Sequence, residues 1–393
     1  MYPNFYHLFK DLFGVEIYGL VIINTFGFFV AIAFLLANYT MKLELKRKES
    51  EGLLQGMQAK KWFGKKGGIF DYASTVFFGF IFGWKFLHLL FNMGSSLLDN
   101  PQQYLLSTDG SLVLGFLGAA VAVGMRYYDD LQMQKKYPEP VLKDVVIHPH
   151  QRMGTLTLVA AIAGLIGAKV FDHMEHWDEF IKDPLAAFAD PFAGLTFYGG
   201  LICGGAAVLY CANKYRINWK HMLDVGGPAM MLAYGVGRIG CHMSGDGDWG
   251  IPNNTPNPGL PDWMWAYTYP NNVAQICNPV THAGCPEGTV PELIYPVWPT
   301  PFYEAIACIA LFGVLWYLRK RISVPGVMFS LYLFLAGFER FWIEKIRVNA
   351  TYKIAGMEIT QAEIISTVMM ISAVILYFFF KQLHKKSEKT IPT

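Results

Sequence analysis

A glycine-rich segment at residues 237–250 carries the densest group of polar side chains in the sequence. Glycines let a chain turn sharply and expose backbone N–H groups, which suits a phosphate or carbonyl oxygen as ligand. An arginine at membrane depth is costly unless it is paired or functional. Two interpretations are open: an anion-binding turn, or a structural turn closed by an Arg–Asp ion pair. The polar positions are Arg238, Cys241, His242, Ser244, Asp246 and Asp248, and Gly250 ends the segment.

A second arginine group lies at residues 339–347. If this segment is helical, Arg340, Glu344 and Arg347 share one face, because residues at this spacing are neighbours on a helix. Two guanidinium groups with a carboxylate between them can hold a phosphodiester through bidentate hydrogen bonds. The alternative is a salt bridge at a helix end. We favour the head group of an anionic lipid as the ligand.

Three further candidates stand where predicted helices begin. Glu304 follows two prolines that suit a helix start, and we expect it in the first turn, where a carboxylate is favoured. Tyr198 precedes the paired glycines Gly199 and Gly200, and Tyr18 lies just inside the first apolar run. A lone tyrosine at a membrane interface is more often an anchor than a catalyst. By their positions alone, both tyrosines are therefore better explained as anchors at the membrane interface.

The elements that must position these residues are membrane-spanning helices. The 393 residues are 53% hydrophobic and 16% charged, whereas an ordinary soluble domain has about 25% charged residues. Several apolar runs approach the roughly 20 residues that cross a bilayer. We predict an all-α, polytopic transmembrane helix bundle, a single membrane domain over residues 1–393. Its nine helices are predicted at 15–37, 69–92, 111–128, 153–172, 196–213, 222–240, 301–318, 324–341 and 359–380.

The basic residues alternate between successive loops, which sets the orientation of the bundle. Segments 42–67, 129–152, 214–221 and 319–321 are rich in lysine and arginine, as is the C-terminal tail. Basic loops stay on the cytoplasmic side of a membrane. The N-terminus is therefore predicted outside and the C-terminus in the cytoplasm, with 241–300 an extracytoplasmic loop. These basic residues form no single stripe, so a nucleic-acid partner is excluded.

Residues 69–128 look like a degenerate repeat of 154–213, at an offset of about 84 residues. The matching positions of the repeat are Gly83 and Gly167, Lys85 and Lys169, and Gly115 and Gly199. We interpret the first copy as packing and the second as functional; the alternative is convergent composition of membrane helices.

The cysteines predict no metal site. In the segment 241–300, Cys277 and Cys285 lie close together, and a disulfide is plausible if this loop faces an oxidising compartment. No CxxC pair exists, so no zinc site is expected.

Taken in order along the chain, these motifs resemble the prolipoprotein diacylglyceryl transferase family. The resemblance covers most of the chain except about 42–150, and it implies a seven-helix core to which the degenerate helix pair is added. The motifs that carry it are Tyr18-Gly19-Leu20, Gly164 to Lys169, Phe197-Tyr198-Gly199-Gly200, Gly237-Arg238-Ile239-Gly240, Pro299 to Glu304, Arg340 to Arg347, and Ile359 to Ser366.

The resemblance implies transfer of a diacylglyceryl group from phosphatidylglycerol to the lipobox cysteine thiol of a preprolipoprotein, with glycerol phosphate leaving. It also implies the bacterial cytoplasmic (inner) membrane, a site near the outer leaflet, and no cofactor or metal. The catalytic residues it implies are Tyr18, Tyr198, His242, Arg340 and Glu344. The substrate-binding residues are Gly199, Gly200, Arg238, Asp246, Asp248, Gly250, Glu304 and Arg347.

Three positions depart from the family pattern. Tyr198 stands where family members usually have His, Cys241 where they usually have Asn, and Lys169 where they usually have Arg. A tyrosine with a pKa near 10 is a poor base at neutral pH, so His242, Asp246 or Asp248 are the candidate bases. Two alternatives stay open: an inactive family member that binds lipid or signal peptides, and a small-solute transporter.

Overall fold

The computed structural model describes residues 1–92, 104, 107–182, 196–354 and 356–390. This part of the chain is mostly helical, with three two-stranded sheets. Six helices are long and apolar enough to cross a membrane. The predicted class, an all-α polytopic membrane protein, is thus confirmed, whereas nine spans and the orientation stay predictions. The chain divides into two compact units, residues 1–28 with 58–146 and residues 29–57 with 147–393.

The first unit contains an amphipathic helix, a short 3-10 helix, two long helices and a small sheet. The helices α1, α3 and α4 span Phe5–Phe13, Ile69–Phe91 and Leu112–Lys136, and the 3-10 helix spans Tyr18–Ile22. Strands β1 and β2, Met57–Phe63 and Val141–Ile147, pair with each other.

The predicted first span, 15–37, is wrong at both ends, because the helix α2 covers Thr25–Ser50. Asn24 explains the late start: its side chain accepts a hydrogen bond from the backbone N–H of Gly27 at 3.4 Å, as an N-cap residue does. The helix continues through the charged run that was predicted as a loop. There Arg47 pairs with Glu44 and Glu51, three and four residues away, which supports a helix.

The second unit holds the remaining helices, and most of their bounds lie within a few residues of the predicted ones. The prediction was wrong at two helix ends: the last helix continues to Thr390 instead of 380, and α4 continues to Lys136 instead of 128. The long helices are α5 Met153–Glu175, α7 Phe197–Lys214, α8 Trp219–Ser244, α10 Thr300–Leu318, α11 Val327–Glu344 and α12 Gln361–Thr390. The short ones are α6 Trp177–Lys182 and α9 Asp262–Trp265. Strands β3 Ile276–Asn278 and β4 Ala283–Gly284 form one sheet, and β5 Thr351–Ile354 and β6 Met357–Thr360 form another.

Helices α5 and α7 pack so closely that only glycine fits at their contact. A Cβ atom added to Gly167 would lie 2.5 Å from the carbonyl oxygen of Gly199, and one added to Gly199 would lie 2.4 Å from that of Gly167. In the first unit, α3 and α4 meet in the same way: a Cβ on Gly83 would lie 2.0 Å from Leu114 O. Such contacts let helix backbones approach in a membrane. They fit the proposed repeat, but the duplication itself stays a prediction.

The first copy of the repeat also contains a buried cation, which its apolar sequence did not suggest. The side chain of Lys85 is 3% exposed, and its Nζ donates hydrogen bonds to the carbonyl oxygens of Tyr104 at 2.9 Å and Asp109 at 2.6 Å. These bonds hold Tyr104 and Asp109, which precede α4, against α3.

Helices α8, α10 and α11 pack against one another around the side chains of Met231, Cys308, Leu315 and Met328. At one end of this group, the carboxylate of Asp224 accepts the backbone N–H groups of Gly326 at 2.8 Å and Phe329 at 3.1 Å. Asp224 therefore caps the start of α11 and fixes it against α8. The opposite ends of α8 and α11, together with the start of α10, carry the polar residues singled out by the sequence.

Candidate active site

A buried carboxylate, Glu304, lies at the centre of the site. Its Oε2 is 2.9 Å from Arg238 Nε, and its Oε1 is 3.1 Å from Arg340 Nη1 and 3.4 Å from Arg347 Nη1. The hydroxyl of Tyr234 donates to the same Oε1 at 3.4 Å. The Glu304 side chain has no exposed surface. A buried charge is tolerated only when it is paired and hydrogen-bonded. Here Arg340 and Arg347 hydrogen-bond the carboxylate, and Arg238 adds an ion pair at its other oxygen.

Glu304 reaches this position from α10, although not from its first turn as predicted. The helix begins at Thr300, so Glu304 lies at its fifth residue, in the second turn. The start of α10 is held to the glycine-rich segment, because the Thr300 hydroxyl donates to the carbonyl oxygen of Asp248 at 2.8 Å. This hydrogen bond joins the helix that carries Glu304 to the turn that carries Asp248.

Asp248 is a second acid shared between arginines. Arg238 Nη1 binds its Oδ2 and Arg347 Nη2 binds its Oδ1. Burial alone would raise the pKa of Asp248, but the charges of Arg347 and Arg238 outweigh it and hold that pKa below its ordinary value. The turn that presents Asp248 needs glycine, because Gly245 and Gly247 have φ of 65° and 102°. The structure thus contains the predicted Arg–Asp ion pair as part of a larger network.

Arg347 enters the site from outside a helix. Helix α11 ends at Glu344, so the prediction that Arg340, Glu344 and Arg347 lie on one helix face is wrong for Arg347. A backbone hydrogen bond to the residue before Arg347 holds it in place instead: the N–H of Ile251 donates to the carbonyl oxygen of Ile346 at 2.9 Å. A Cβ atom on Gly250 would lie 2.4 Å from that oxygen. Because Gly250 has no Cβ, the two backbones come close enough for this hydrogen bond to form. The role of Gly250 is therefore to permit backbone contact.

Arg340 and Glu344 do share one face of α11, in its last turns, as predicted. Arg340 Nη2 lies 2.9 Å from Glu344 Oε2, at the i,i+4 spacing. Asn349 donates to the other oxygen of Glu344 at 2.6 Å. The network so formed contains three arginines and three carboxylates, so its formal charges balance. Its ion-paired members are Arg238, Arg340, Arg347, Asp248, Glu304 and Glu344.

Two members of the network were missed in the sequence. Tyr234 accepts a hydrogen bond from Arg238 Nη2 at 2.9 Å and lies four residues before it on α8. This spacing on one helix face was a usable signal. Asn349 lies beyond the end of α11, and no periodicity marks it.

His242 lies among aromatic side chains rather than in the arginine network. It is 7% exposed, and its Nδ1 is 3.1 Å from the hydroxyl of Tyr269. The ring centroids of Phe302, Trp263 and Tyr267 lie 5.6–6.1 Å from its own. These contacts give His242 a packing role, and its assignment as a catalyst stays a prediction.

The glycines and tyrosines of the remaining motifs lie on other helices. Gly199 and Gly200 face α5, where a Cβ on Gly200 would lie 3.2 Å from Gly164 O. Tyr198 is 41% exposed in the first turn of α7. Tyr18 belongs to the first unit, where its ring stacks on Tyr6 at 5.2 Å. The functional roles of Tyr18 and Tyr198 stay predictions.

Asp246 differs from the other acids of the glycine turn because no cation pairs with it among the described residues. Its side chain is exposed, and its Oδ1 accepts the backbone N–H of Asp248 at 3.3 Å. Loss of hydration and the neighbouring charge of Asp248 raise the pKa of Asp246 above its ordinary value.

Ligand atoms of Cys241, Asp246 and Asp248 lie within 4.8 Å of one another, the spacing of a possible metal site. Two guanidinium groups already bind Asp248, however, and their charge opposes a divalent cation there. These two arginines therefore disfavour a metal ion at Asp248.

Fold and site together define a polytopic helical membrane protein with a buried arginine–carboxylate network at the ends of three helices. The family model of prolipoprotein diacylglyceryl transferase matches residues 132–379. The chain belongs to this family, as the resemblance of its motifs predicted. The match leaves out the first helix pair of the proposed repeat.

Several curated relatives carry the name phosphatidylglycerol–prolipoprotein diacylglyceryl transferase. One from Corynebacterium glutamicum is 29% identical over 240 residues, which cover 60% of this chain and 72% of the relative. One from Leptospira interrogans is 28% identical over 49% of this chain and 61% of the relative. One from Dehalococcoides mccartyi is 27% identical over 284 residues, 71% of this chain and 94% of the relative.

Proposed function

We propose that this protein transfers the diacylglyceryl group of phosphatidylglycerol to the cysteine thiol of a prolipoprotein. The observation that carries the proposal is the buried Glu304 with three guanidinium groups around it, in a chain that belongs to this transferase family. The acceptor we propose is the lipobox cysteine at the end of a preprolipoprotein signal peptide. Both substrates reside in or at the bilayer, as the helical membrane fold requires.

The chemistry explains why arginines are needed. The thiolate sulfur attacks the glyceryl carbon that bears the phosphate ester, a carbon–sulfur bond forms, and the carbon–oxygen bond breaks. The electron pair of the broken bond goes to the phosphate of the departing glycerol phosphate, whose negative charge increases. Donors aimed at an oxygen that gains charge stabilise the transition state. Guanidinium groups bind phosphate oxygens in pairs, which also orients the ester.

Arg340 is the arginine best placed to receive a phosphate. Its side chain is 24% exposed, whereas those of Arg238 and Arg347 are 14% and 7% exposed. A guanidinium has five N–H donors, and the contacts to Glu304 and Glu344 engage only two nitrogens of Arg340. We propose that Arg340 binds the phosphate, with Arg238 behind it.

The proposed location is the bacterial cytoplasmic membrane, with the site near the outer leaflet. Two features of the sequence support this. The segment 239–318 contains no lysine or arginine, which fits an extracytoplasmic position. That segment also contains the disulfide between Cys277 and Cys285, with a Cα–Cα distance of 5.0 Å, and disulfides persist in oxidising compartments.

The test is a transfer assay with purified protein, phosphatidylglycerol vesicles and a peptide that contains a lipobox cysteine. Mass spectrometry should find a diacylglyceryl thioether with the wild type. Arg238→Ala should reduce the rate by about 10²-fold or more, since the loss of one donor to a developing oxyanion has that size. Arg321→Ala, which removes an exposed arginine elsewhere, is the matched control and should keep the wild-type rate.

An inactive wild type that still binds phosphatidylglycerol would contradict the transferase proposal. That outcome would instead support a family member that binds lipid or signal peptides.

A further inference from the structure

The proposed transfer requires a group that takes the proton of the substrate thiol. A free cysteine thiol has a pKa of about 8.5, so it is mostly protonated near neutral pH. A base must therefore lie near the arginines, be reached from the substrate side, and have an oxygen or nitrogen free to accept the proton. The need for such a base rests on the proposed function.

Three carboxylates of the site fail the last condition. Glu304 is bound by three arginines, and Asp248 by two. Glu344 is bound by Arg340 and by the side chain of Asn349. Protonating any of them would break ion pairs that hold the network together, so these carboxylates resist taking up a proton.

Two non-carboxylate candidates fail for different reasons. His242 is 7% exposed among aromatic rings and its Nδ1 is engaged by Tyr269, so a substrate thiol does not reach that nitrogen without moving the rings. Tyr198 is exposed, but it lies in the first turn of α7, on a different helix from the arginines of the network.

Asp246 meets all three conditions. It lies two residues from Asp248, and its carboxylate is within 4.8 Å of a carboxylate oxygen of Asp248 and of the Cys241 sulfur. Its side chain is exposed and, among the residues placed by the structure, has no ion-pair partner. The hydrogen bonds from the Cys241 thiol and from the backbone N–H of Asp248 leave its carboxylate with further lone pairs that can accept a proton. Its charged and titratable neighbours are Arg238 and Cys241 on α8, Asp248 in the turn, and Tyr269 from the segment 241–300.

We propose that Asp246 is the general base of the transfer. Its carboxylate takes the proton from the substrate S–H, the sulfur lone pair forms the carbon–sulfur bond, and the carbon–oxygen bond breaks toward the phosphate held by the arginines. The protonated Asp246 then releases its proton to water at the exposed side of the turn. Arg238 and Arg347, which bind Asp248 in the resting site, keep the thiolate beside positive charge.

The electrostatics of the turn support this role. Loss of hydration and the charge of Asp248 raise the pKa of Asp246, which brings it closer to that of a thiol. Burial, followed by the Asp246 charge, raises the pKa of Tyr269 well above its usual range, so this hydroxyl stays neutral and does not compete for the proton.

The test compares wild type, Asp246→Asn and Asp246→Glu in the transfer assay between about pH 5.5 and 9.5. At pH 6.5, Asp246→Asn should lower kcat by roughly 10²- to 10⁴-fold, the usual contribution of a general base, and KM for phosphatidylglycerol should stay within about twofold. Above the thiol pKa of about 8.5 the defect should shrink, because the peptide then supplies its own thiolate. Asp246→Glu should recover part of the rate. Glu287→Gln, an exposed acid of the same outer segment, is the matched control.

Each other result overturns the inference. An active wild type with an Asp246→Asn variant of equal rate at every pH removes Asp246 from the chemistry. A defect of the same size at all pH values shows a structural role in the turn. A wild type without product at any pH refutes the proposed function itself, and with it the need for a base.

Discussion

Replacing Glu304 with glutamine is the most direct probe of the arginine network, because the two side chains have the same shape. The wild-type network has three guanidinium groups against three carboxylates. Asp248 and Glu344 stay in place in Glu304→Gln, so two carboxylates face three partly buried arginines. Removing one partner of a buried ion pair costs about 3–5 kcal/mol, since the other charge stays buried.

The predicted result is a large loss of thermal stability together with retained or stronger binding of anionic lipid. At about 2 °C per kcal/mol for a chain of this size, the melting temperature in detergent should fall by roughly 6 °C or more. Phosphatidylglycerol should restore more of that loss in Glu304→Gln than in wild type, because the ligand supplies the missing negative charge and stabilises the state that binds it.

A matched control lies in the same compact unit. Glu44 is also buried and contacts two arginines, Arg47 and Arg319, but it is not part of the site. Glu44→Gln should lower the melting temperature, with no added rescue by phosphatidylglycerol. If Glu304→Gln melts within about 1 °C of wild type, or if lipid rescues both variants equally, then the balance of three arginines against three carboxylates does not hold the site together.

Two further predictions concern the scaffold. Gly199→Leu should prevent α5 and α7 from packing and lower the yield of folded protein in size-exclusion chromatography, whereas Gly205→Ala, with nothing within 4 Å of its added Cβ, should behave as wild type. Removing the disulfide with Cys277→Ser and Cys285→Ser should cost the segment 241–300 about 2 kcal/mol. It should speed proteolytic cleavage near residues 277–285 while the helices stay resistant; an unchanged cleavage rate would show that the hairpin β3–β4 closes without the disulfide.

The helices α4 and α12 run eight and ten residues past their predicted ends, because charged residues there continue the helix instead of ending it. The other later helices were predictable from the sequence to within a few residues. The first one was not, because the apolar run from residue 15 passes through Asn24 without a change in hydropathy. Only the capping hydrogen bond of Asn24 to Gly27 shows where the helix begins. The charged end of α2 was missed for the opposite reason, since Arg47 looked like loop composition while its pairing with Glu44 and Glu51 stabilises a helix.

The candidate site residues could be chosen from the sequence, but their partners could not. Local spacing predicted the pair Arg340 and Glu344. The central position of Glu304 and the sharing of Asp248 by Arg238 and Arg347 depend on contacts between segments far apart in the chain. Such contacts follow from the packing of three helix ends, which no periodicity records. The same holds for His242, whose type suggested a base and whose aromatic surroundings give it a packing role.

The double pairing of Asp248 means that the protein carries its own internal counterion. In the proposed reaction, an arriving phosphate does not meet bare positive charge; it takes over N–H donors from a carboxylate that already occupies them. Such a site selects its ligand by exchange. A passing chloride or acetate gains little by displacing Asp248, whereas a phosphodiester anchored by two acyl chains stays beside the arginines long enough for the exchange to occur. The same exchange helps the product leave, since Asp248 can reclaim Arg238 and Arg347 as glycerol phosphate departs.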